Sequence, residues 1–201
     1  GKVTFDDGKF VINDTGQEVD ILTVAANFEE FNGTKGSLQA TWEQKGRLSA
    51  FPYGASGVEV EIDPETGSLA ICNYAIVDDC GRAVNPMIVH GQIHGGIVHG
   101  AGQAIGECAL FDLDSGQMVT GSFMDYMIPR ADQFPIFKVG TLEVETKGNP
   151  LGIKAGGEAG TVPALALMGN AVMDALSPYG IEHFDMPFTA PIIWQAIQDA
   201  S

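Results

Sequence analysis

A glycine-rich segment that carries a single acidic residue, Lys154 to Thr161, has the residue pattern best suited to chemistry. Its glycines would let a bulky ligand approach the main chain closely. The free N–H groups of such a loop, and the N-terminus of a helix beginning after Thr161, can hold anionic groups. Glu158 could act there as a general base, with its pKa set by burial and by the ligand. A plain loop with a surface glutamate is the alternative that the residues leave open.

A second glycine-rich segment, Gly91 to Gln103, combines amide and imidazole side chains with bare backbone. Four of its residues follow the spacing i, i+3, i+4 and i+7 and would share one helix face: Gln92, Gly95, Gly96 and His99. Such a face suits a polar, planar ligand. Close helix packing, with the histidines satisfied in the core, explains the same pattern equally simply.

Two histidines in this segment, His90 and His94, have the i, i+4 spacing that can ligate zinc. Each is followed by glycine, so the His-Glu-x-x-His pattern and its adjacent base are missing. A zinc site is therefore the weaker interpretation.

A polar corner precedes the glycine-rich helix, where Val77 to Gly81 ends a predicted strand and Asn85-Pro86 opens the helix. A strand-to-helix turn with polar side chains and free N–H groups could bind a nucleotide. Turn and cap chemistry gives another explanation, in which Asp79 and Asn85 are caps and Cys80 is inert.

Local patterns predict the elements that would position these residues. Alternating apolar residues and an Asp-Pro-Glu-Thr-Gly turn predict a β-hairpin over Gly57 to Asp79, and an Asp-Gly turn predicts another near the start of the chain. Further predictions are strands at Cys108–Leu113, Met118–Met127 and Phe137–Glu145, and helices at Met87–Gly106, Val162–Leu176 and Thr189–Ala200. A short helix is also possible over Thr23 to Phe31. The predicted fold class is α+β, with hairpins and a mixed sheet packed against a few helices.

Composition and charge exclude several functions. The chain has 201 residues, of which 26 are acidic and 10 basic, and its formal net charge is -16. A protein that binds nucleic acid or an anionic membrane needs a basic face, so we expect this acidic chain to bind neither. None of the apolar runs approaches the roughly 18 residues of a spanning helix, and no leader-like start is visible. Three cysteines without metal-like clustering favour a reducing compartment, so we expect a cytoplasmic protein.

Four sequence stretches in one order resemble the C-terminal part of the molybdenum-binding large subunit of the xanthine dehydrogenase, aldehyde oxidase and aerobic carbon monoxide dehydrogenase family. The stretches are Val77-Asp78-Asp79-Cys80-Gly81 with Asn85-Pro86, Gly91-Gln92-x-His94-Gly95-Gly96, Phe123-Met124-Asp125-Tyr126-x-x-Pro129, and Asn149-Pro150-Leu151-Gly152-x-Lys154-x-x-Gly157-Glu158-Ala159-Gly160. The resemblance extends from about Phe51 to Ile197. It implies one C-terminal molybdopterin-binding domain over residues 1–201, with lead-in strands and a loop up to residue 50.

The resemblance implies a molybdenum–molybdopterin cytosine dinucleotide, with the metal held through the pterin and not by protein side chains. Glu158 would be the base for a hydroxylation whose oxygen comes from water. The residues implied to line the cofactor are Asp79, Cys80, Gly81, Asn85, Gln92, Gly95, His99, Lys154, Gly156 and Gly157. His99 stands where family members usually have glutamine, and Ala155 replaces a frequent glycine; neither change removes the base.

The same resemblance implies an incomplete molybdenum site, because the family's other cofactor-contacting segments lie N-terminal to this region. The expected partners are a chain carrying the N-terminal half of the subunit, and iron–sulfur and flavin subunits with [2Fe–2S] clusters and FAD, in a dimer of heteromers. The substrate would be a small carbonyl compound, an N-heterocycle or carbon monoxide. A scaffold domain without chemistry, and a zinc hydrolase using His90 and His94, are the rival interpretations.

Overall fold

A computed structural model describes residues 2–28, 41, 43 and 49–200. The chain divides into two compact units, Gly1–Arg47 and Leu48–Ser201. The first unit holds a three-stranded antiparallel sheet, in the order β1-β2-β3, followed by a short helix: β1 (Val3–Asp6), β2 (Lys9–Ile12), β3 (Gln17–Asp20) and α1 (Ile21–Ala26). Positive φ angles at Asp7 and Gly8 form the tight turn of the first hairpin, as its Asp-Gly pair predicts.

The sheet of the second unit is mixed, as expected. Its strands are β4 (Tyr53–Ile62), β5 (Leu69–Asp79) and β6 (Lys138–Thr141), in that order. β4 and β5 pair antiparallel across the predicted turn, and β6 joins β5 in parallel. The Asp63 carboxylate accepts hydrogen bonds from the Glu65 N–H and the Thr66 hydroxyl, and Gly67 has a φ of 72°. This local chemistry explains why the hairpin could be predicted.

Three helices of the second unit lie close to their predicted positions: α2 (Pro86–Ile105), α3 (Thr161–Leu176) and α4 (Ala190–Ala200). Asn85 caps α2, because its side chain accepts a hydrogen bond from the Ile88 N–H at 3.3 Å. α3 ends in a 3₁₀ turn at Ser177–Tyr179, and Gly180 follows with a φ of 74°.

The core lies between the sheet and the helices. One cluster joins β5 to α2, α3 and α4 through Ile71, Met168 and Ile193, and a second joins β5 to α2 through Tyr74, Ile76 and Ile97. Alternation along β5 is interrupted between Ile71 and Tyr74, where the register with β4 shifts at Glu59/Val60. A bulge of this kind moves the following side chains to the other face of the strand. It therefore turns Tyr74, Ile76 and Asp78 towards the interior.

Two predicted strands, Cys108–Leu113 and Met118–Met127, are wrong. That segment contains a turn and one isolated bridge between Phe111 and Met118. Most of its large apolar side chains are exposed, Leu113 at 98%, so the described part of the chain offers them little surface to pack against.

The predicted strand Phe137–Glu145 is shorter than expected, because β6 ends at Thr141. Beyond that point the Leu142 N–H donates to the main-chain oxygen of Asp78, and the Val144 N–H donates to the Asp79 carboxylate. The main chain after Thr141 therefore donates a hydrogen bond to the Asp79 side chain and does not extend the pairing of β6 with β5.

None of the helices in the described residues is long and apolar enough to cross a membrane.

Candidate functional site

The end of β5 carries a buried ion pair. Asp79 is 2% exposed, and its Oδ2 lies 2.6 Å from the Nζ of Lys154. Its Oδ1 accepts hydrogen bonds from the N–H groups of Gly81 at 2.8 Å and Val144 at 3.1 Å. Burial by itself would raise the pKa of Asp79, but these hydrogen bonds outweigh it and lower the pKa to about 2. Asp79 is therefore an ionised anchor of the corner.

Lys154 closes this corner from the second glycine-rich segment. Its side chain is 9% exposed, and its Nζ lies 4.4 Å from the centre of the Tyr53 ring. The hydrogen bond to Asp79 raises the pKa of Lys154, which keeps the ammonium charged. Tyr53 is directly opposite Asp79 in the β4–β5 register. The Lys154 ammonium thus contacts both the Asp79 carboxylate and the Tyr53 ring, and it joins the start of β4, the end of β5 and the second glycine-rich segment.

The other residues of this corner are main-chain contacts. Cys80 is buried, burial raises the pKa of its thiol, and its carbonyl accepts the Lys154 N–H at 2.8 Å. A buried neutral thiol is a poor nucleophile, which fits a packing role. Gly81 has a φ of 68°, and a Cβ there would collide with the main chain at Gly152. Only glycine combines that conformation with that close approach.

The loop that carries Glu158 is held at several points. Besides the contact at Lys154, the Ala155 N–H donates to the Ala50 carbonyl at 3.0 Å. Gln92 of α2 donates from Nε2 to the Gly157 carbonyl at 2.6 Å. The Glu158 carbonyl accepts the N–H groups of Thr161 and Val162, which starts α3. The backbone on both sides of Glu158 is therefore positioned by hydrogen bonds.

The Glu158 side chain itself is exposed. The described residues therefore do not bury this carboxylate. It lines an open cavity of about 710 Å³, within the range of small-molecule sites. The cavity walls are mostly apolar: Phe51, Pro52, Tyr53, Ile76, Val162 and Pro163. Among the described residues, Asp78 and Glu158 are the two that bring a carboxyl group to this cavity.

The glycines of α2, which the sequence predicts to face a ligand, fall into two groups in the structure. Gly96 packs on the start of α3, since a Cβ there would lie 3.1 Å from Gly160 Cα, and Gly100 is tighter still, with a Cβ 2.6 Å from the Thr161 carbonyl oxygen. Close helix packing is the correct explanation for these two glycines. Gly91 and Gly95 differ, because a Cβ at either would meet no described atom within 4 Å.

The remaining predicted residues lie at the surface of this chain. Asn85 and His99 are exposed, Gly156 is half-buried, and a Cβ at Gly157 would project into open space. The structure thus brings Asp79, Cys80, Gly81, Gln92, Lys154, Gly156 and Gly157 together around one loop. In the described part of the chain, Asn85, Gly95 and His99 make no hydrogen bond to that loop; they lie along α2 and its start.

The two histidines considered for zinc do not form a metal centre with other residues described here. The His94 ring packs edge-on against Phe137, with centroids 5.4 Å apart. Within residues 2–28, 41, 43 and 49–200, no group of three or more histidine, cysteine or acidic side chains could hold a metal ion. A zinc site at His90 and His94 lacks its third protein ligand in this part of the chain.

Sequence reasoning missed two residues of this region, Tyr53 and Asp78. The hairpin turn could have revealed Tyr53, because counting back from Asp63–Gly67 places the start of β4 beside the end of β5. Asp78 is not marked by the sequence, because its neighbour Asp79 accounts for the same motif. No local signal distinguishes the two carboxyl groups.

Comparison with known proteins gives consistent matches. The family model described as molybdopterin cofactor-binding domain matches residues 1–135. The large subunit of nicotine 6-hydroxylase from Paenarthrobacter nicotinovorans is 40% identical over 139 residues, covering 69% of this chain and 17% of the relative. The large chain of carbon monoxide dehydrogenase from Hydrogenophaga pseudoflava is 33% identical over 149 residues, covering 74% of this chain and 18% of the relative.

Solved structures agree over almost the whole chain. Quinoline 2-oxidoreductase from Pseudomonas putida 86 matches with a TM-score of 0.82 and 31% identity, over 98% of this chain and 26% of that chain. A Cu,Mo-containing carbon monoxide dehydrogenase matches with a TM-score of 0.87 and 26% identity, over 98% of this chain and 25% of that chain. The chain therefore spans about a quarter or less of the proteins it resembles.

Proposed function

Since the chain belongs to the molybdopterin cofactor-binding domain family of the molybdenum hydroxylases, we propose that it forms the C-terminal catalytic portion of such an enzyme. In this proposal Glu158 is the general base of a hydroxylation whose oxygen comes from water. The observation that carries it is structural. Glu158 stands on a hydrogen-bonded loop at the edge of a large cavity, beside backbone without side chains.

The residues present fit a large cofactor. Gly91, Gly95 and Gly157 offer bare main chain, and a Cβ at each would project into open space as far as the described residues extend. Glycine in a helix interior destabilises the helix by about 1 kcal/mol relative to alanine. At Gly91 and Gly95 no neighbouring atom among the described residues requires a glycine. A ligand that needs to approach the helix gives a reason.

We propose that molybdenum–molybdopterin binds there in its cytosine dinucleotide form. The exposed residues Asn85, Gly95 and His99 would contact it directly, and Gln92 would position the Gly157 carbonyl. Asp79 and Lys154 are satisfied by each other, so their part is to shape the corner with Cys80, Gly81 and Gly156. When bound, the cofactor would supply the two-electron redox chemistry that protein side chains lack.

Glu158 then has one task, which is to accept a proton from the oxygen that attacks the substrate. A carboxylate does this when it lies within hydrogen-bond distance of that oxygen. The hydrogen bonds around Gly157 and Thr161 hold its backbone for this purpose. Because the side chain is open to solvent in this chain, we propose that the rest of the subunit covers the cavity and excludes water.

Relatives support a multi-subunit enzyme. One is named subunit gamma of a 6-hydroxypseudooxynicotine dehydrogenase complex, 32% identical over 196 residues. We propose that this chain works with the remainder of its subunit and with iron–sulfur and flavin subunits carrying [2Fe–2S] clusters and FAD, as a dimer of heteromers in the cytoplasm. The substrate class is a small carbonyl compound, an N-heterocycle or carbon monoxide. Nicotine and quinoline in the relatives' names favour an N-heterocycle.

The test is Glu158→Gln in the assembled enzyme. We expect the molybdenum content to stay unchanged while turnover falls by about 10²–10⁴, the typical contribution of a general base. Glu65→Gln, an exposed change in the β4–β5 turn, is the matched control and should leave turnover unchanged. Near-normal turnover in Glu158→Gln would refute the assignment. Absence of molybdenum from the native complex would favour a scaffold instead.

A further inference from the structure

The cavity beside Glu158 has a second carboxyl group, Asp78, with a different environment. Asp78 is 4% exposed and lines the cavity with Ile76, Tyr53 and Ser56. Its Oδ2 atom is buried and has no hydrogen-bond partner among the described residues. Its main-chain oxygen is satisfied by the Leu142 N–H at 2.9 Å, so only the side chain is unpaired. A buried polar atom in that condition calls for an explanation.

The neighbouring residue, Asp79, shows that hydrogen-bond donors for a carboxylate are present at the end of β5. Adjacent residues of a strand point to opposite faces. On one face Asp79 has Lys154 and two N–H donors; on the other, Asp78 has none that is described. The opposite strand makes room for Asp78, because a Cβ at Gly54 would collide with its Oδ1. The space around this carboxyl group is therefore kept free by glycine.

Energetics favour an external partner. Burial raises the pKa of Asp78, which favours the neutral acid with one O–H donor. A buried polar group without a partner destabilises a fold by about 1–3 kcal/mol, and an apolar side chain would avoid this. Apart from Asp78, Glu158 and Ser56, the described side chains that line the cavity are apolar or aromatic. This combination suits a flat, largely apolar ligand with one acceptor atom.

We propose that Asp78 recognises a flat nitrogen heterocycle in this cavity through one hydrogen bond to a ring nitrogen or ring carbonyl. This inference rests on the proposed function, which supplies two sources for such a ring: the substrate, or the base of the cofactor's dinucleotide. Glu158 and Asp78 then have separate tasks, because one takes a proton during the reaction and the other selects what occupies the cavity.

The experiment uses Asp78→Leu and Asp78→Asn in the assembled enzyme. Asn keeps a hydrogen-bond donor at nearly the same shape, whereas Leu removes it; Asp78→Ala is a second apolar variant in case Leu is too large. Two measurements follow. The first is the nucleotide released per chain on denaturation. The second is the affinity for quinoline and for naphthalene, measured by equilibrium dialysis in anaerobic, dithionite-reduced enzyme that cannot oxidise the ring.

Quinoline and naphthalene have the same shape, and only quinoline has a ring nitrogen. If the substrate is the partner, Leu and Ala weaken quinoline binding about tenfold, Asn stays close to the unsubstituted protein, and naphthalene binding is unaffected. If the cofactor base is the partner, Leu and Ala lower the nucleotide content and Asn restores it.

The proposal is overturned if nucleotide content and quinoline affinity both stay unchanged in the Leu and Ala variants. It is also overturned if quinoline and naphthalene lose affinity equally, which would indicate a packing change. These measurements do not depend on proton abstraction. They therefore separate failure of this inference from failure of the Glu158 assignment, which is judged by turnover.

Discussion

The crossing of α2 and α3 allows a quantitative test with substitutions in one helix. At Gly100, an added Cβ would lie 2.6 Å from the Thr161 carbonyl oxygen and 2.8 Å from the Ala164 Cβ. Both neighbours belong to the first turns of α3, so neither can move without the helix. At Gly91, in the same helix, an added Cβ meets nothing described within 4 Å. The pair Gly100→Ala and Gly91→Ala therefore differs only in what the new methyl group contacts.

The two substitutions are expected to change the free energy of unfolding in opposite directions. Replacing an unconstrained helical glycine by alanine stabilises by about 0.5–1 kcal/mol, which is our prediction for Gly91→Ala. Gly100→Ala has the same gain, but overpacking opposes it by about 1–3 kcal/mol. Because the contact is with helical backbone, we take the upper end, a net loss of about 2 kcal/mol. At about 2–4 °C per kcal/mol, the melting temperature should fall by 4–8 °C in Gly100→Ala and rise by 1–4 °C in Gly91→Ala.

The assay is thermal and urea unfolding of the unliganded chain, followed by circular dichroism at 222 nm. Unfolding midpoints are compared at equal urea dependence, so that a change in the denatured state is recognised. If Gly100→Ala were as stable as Gly91→Ala, the two helices would not be in close backbone contact. The described packing of α2 on α3 would then be refuted.

Two further predictions concern the ligand face and the buried ion pair. Gly95→Ala should stabilise the unliganded chain as Gly91→Ala does, yet lower the molybdenum content of the assembled enzyme; unchanged loading would remove Gly95 from the cofactor site. The pKa of Asp79 is lowered from 3.8 in the unfolded chain to about 2 in the folded chain. Between these two pH values the unfolded state binds more protons than the folded state. The stabilisation that Asp79 provides above pH 4 is therefore lost as the pH falls towards 2. Asp79→Asn should therefore unfold at lower urea at pH 7 and show a flatter dependence between pH 4 and pH 2, whereas an unchanged acid profile would contradict the ion pair.

Much of the fold could be predicted because it depends on neighbouring residues. The Asp7-Gly8 turn, the turn from Asp63 to Gly67 and the Asn85 cap are each decided within a few residues. Hairpins and helix starts of this kind follow from backbone conformation and short-range hydrogen bonds. The predictions at Cys108–Leu113 and Met118–Met127 were wrong for the opposite reason, since β propensity needs a neighbouring strand or surface to be expressed.

From the amino-acid order alone one can identify the two glycine-rich segments, the acidic residue within one of them, and the family that their order indicates. That order could not decide what each residue contacts. Asp79 pairs with Lys154, 75 positions further along the chain, while the Oδ2 of adjacent Asp78 has no hydrogen-bond partner among the described residues. Gly96 packs on α3, while a Cβ at adjacent Gly95 would meet no described atom within 4 Å. Neighbours in sequence differ in this way because a strand or helix turns successive side chains in different directions, and only the assembled layers provide their partners.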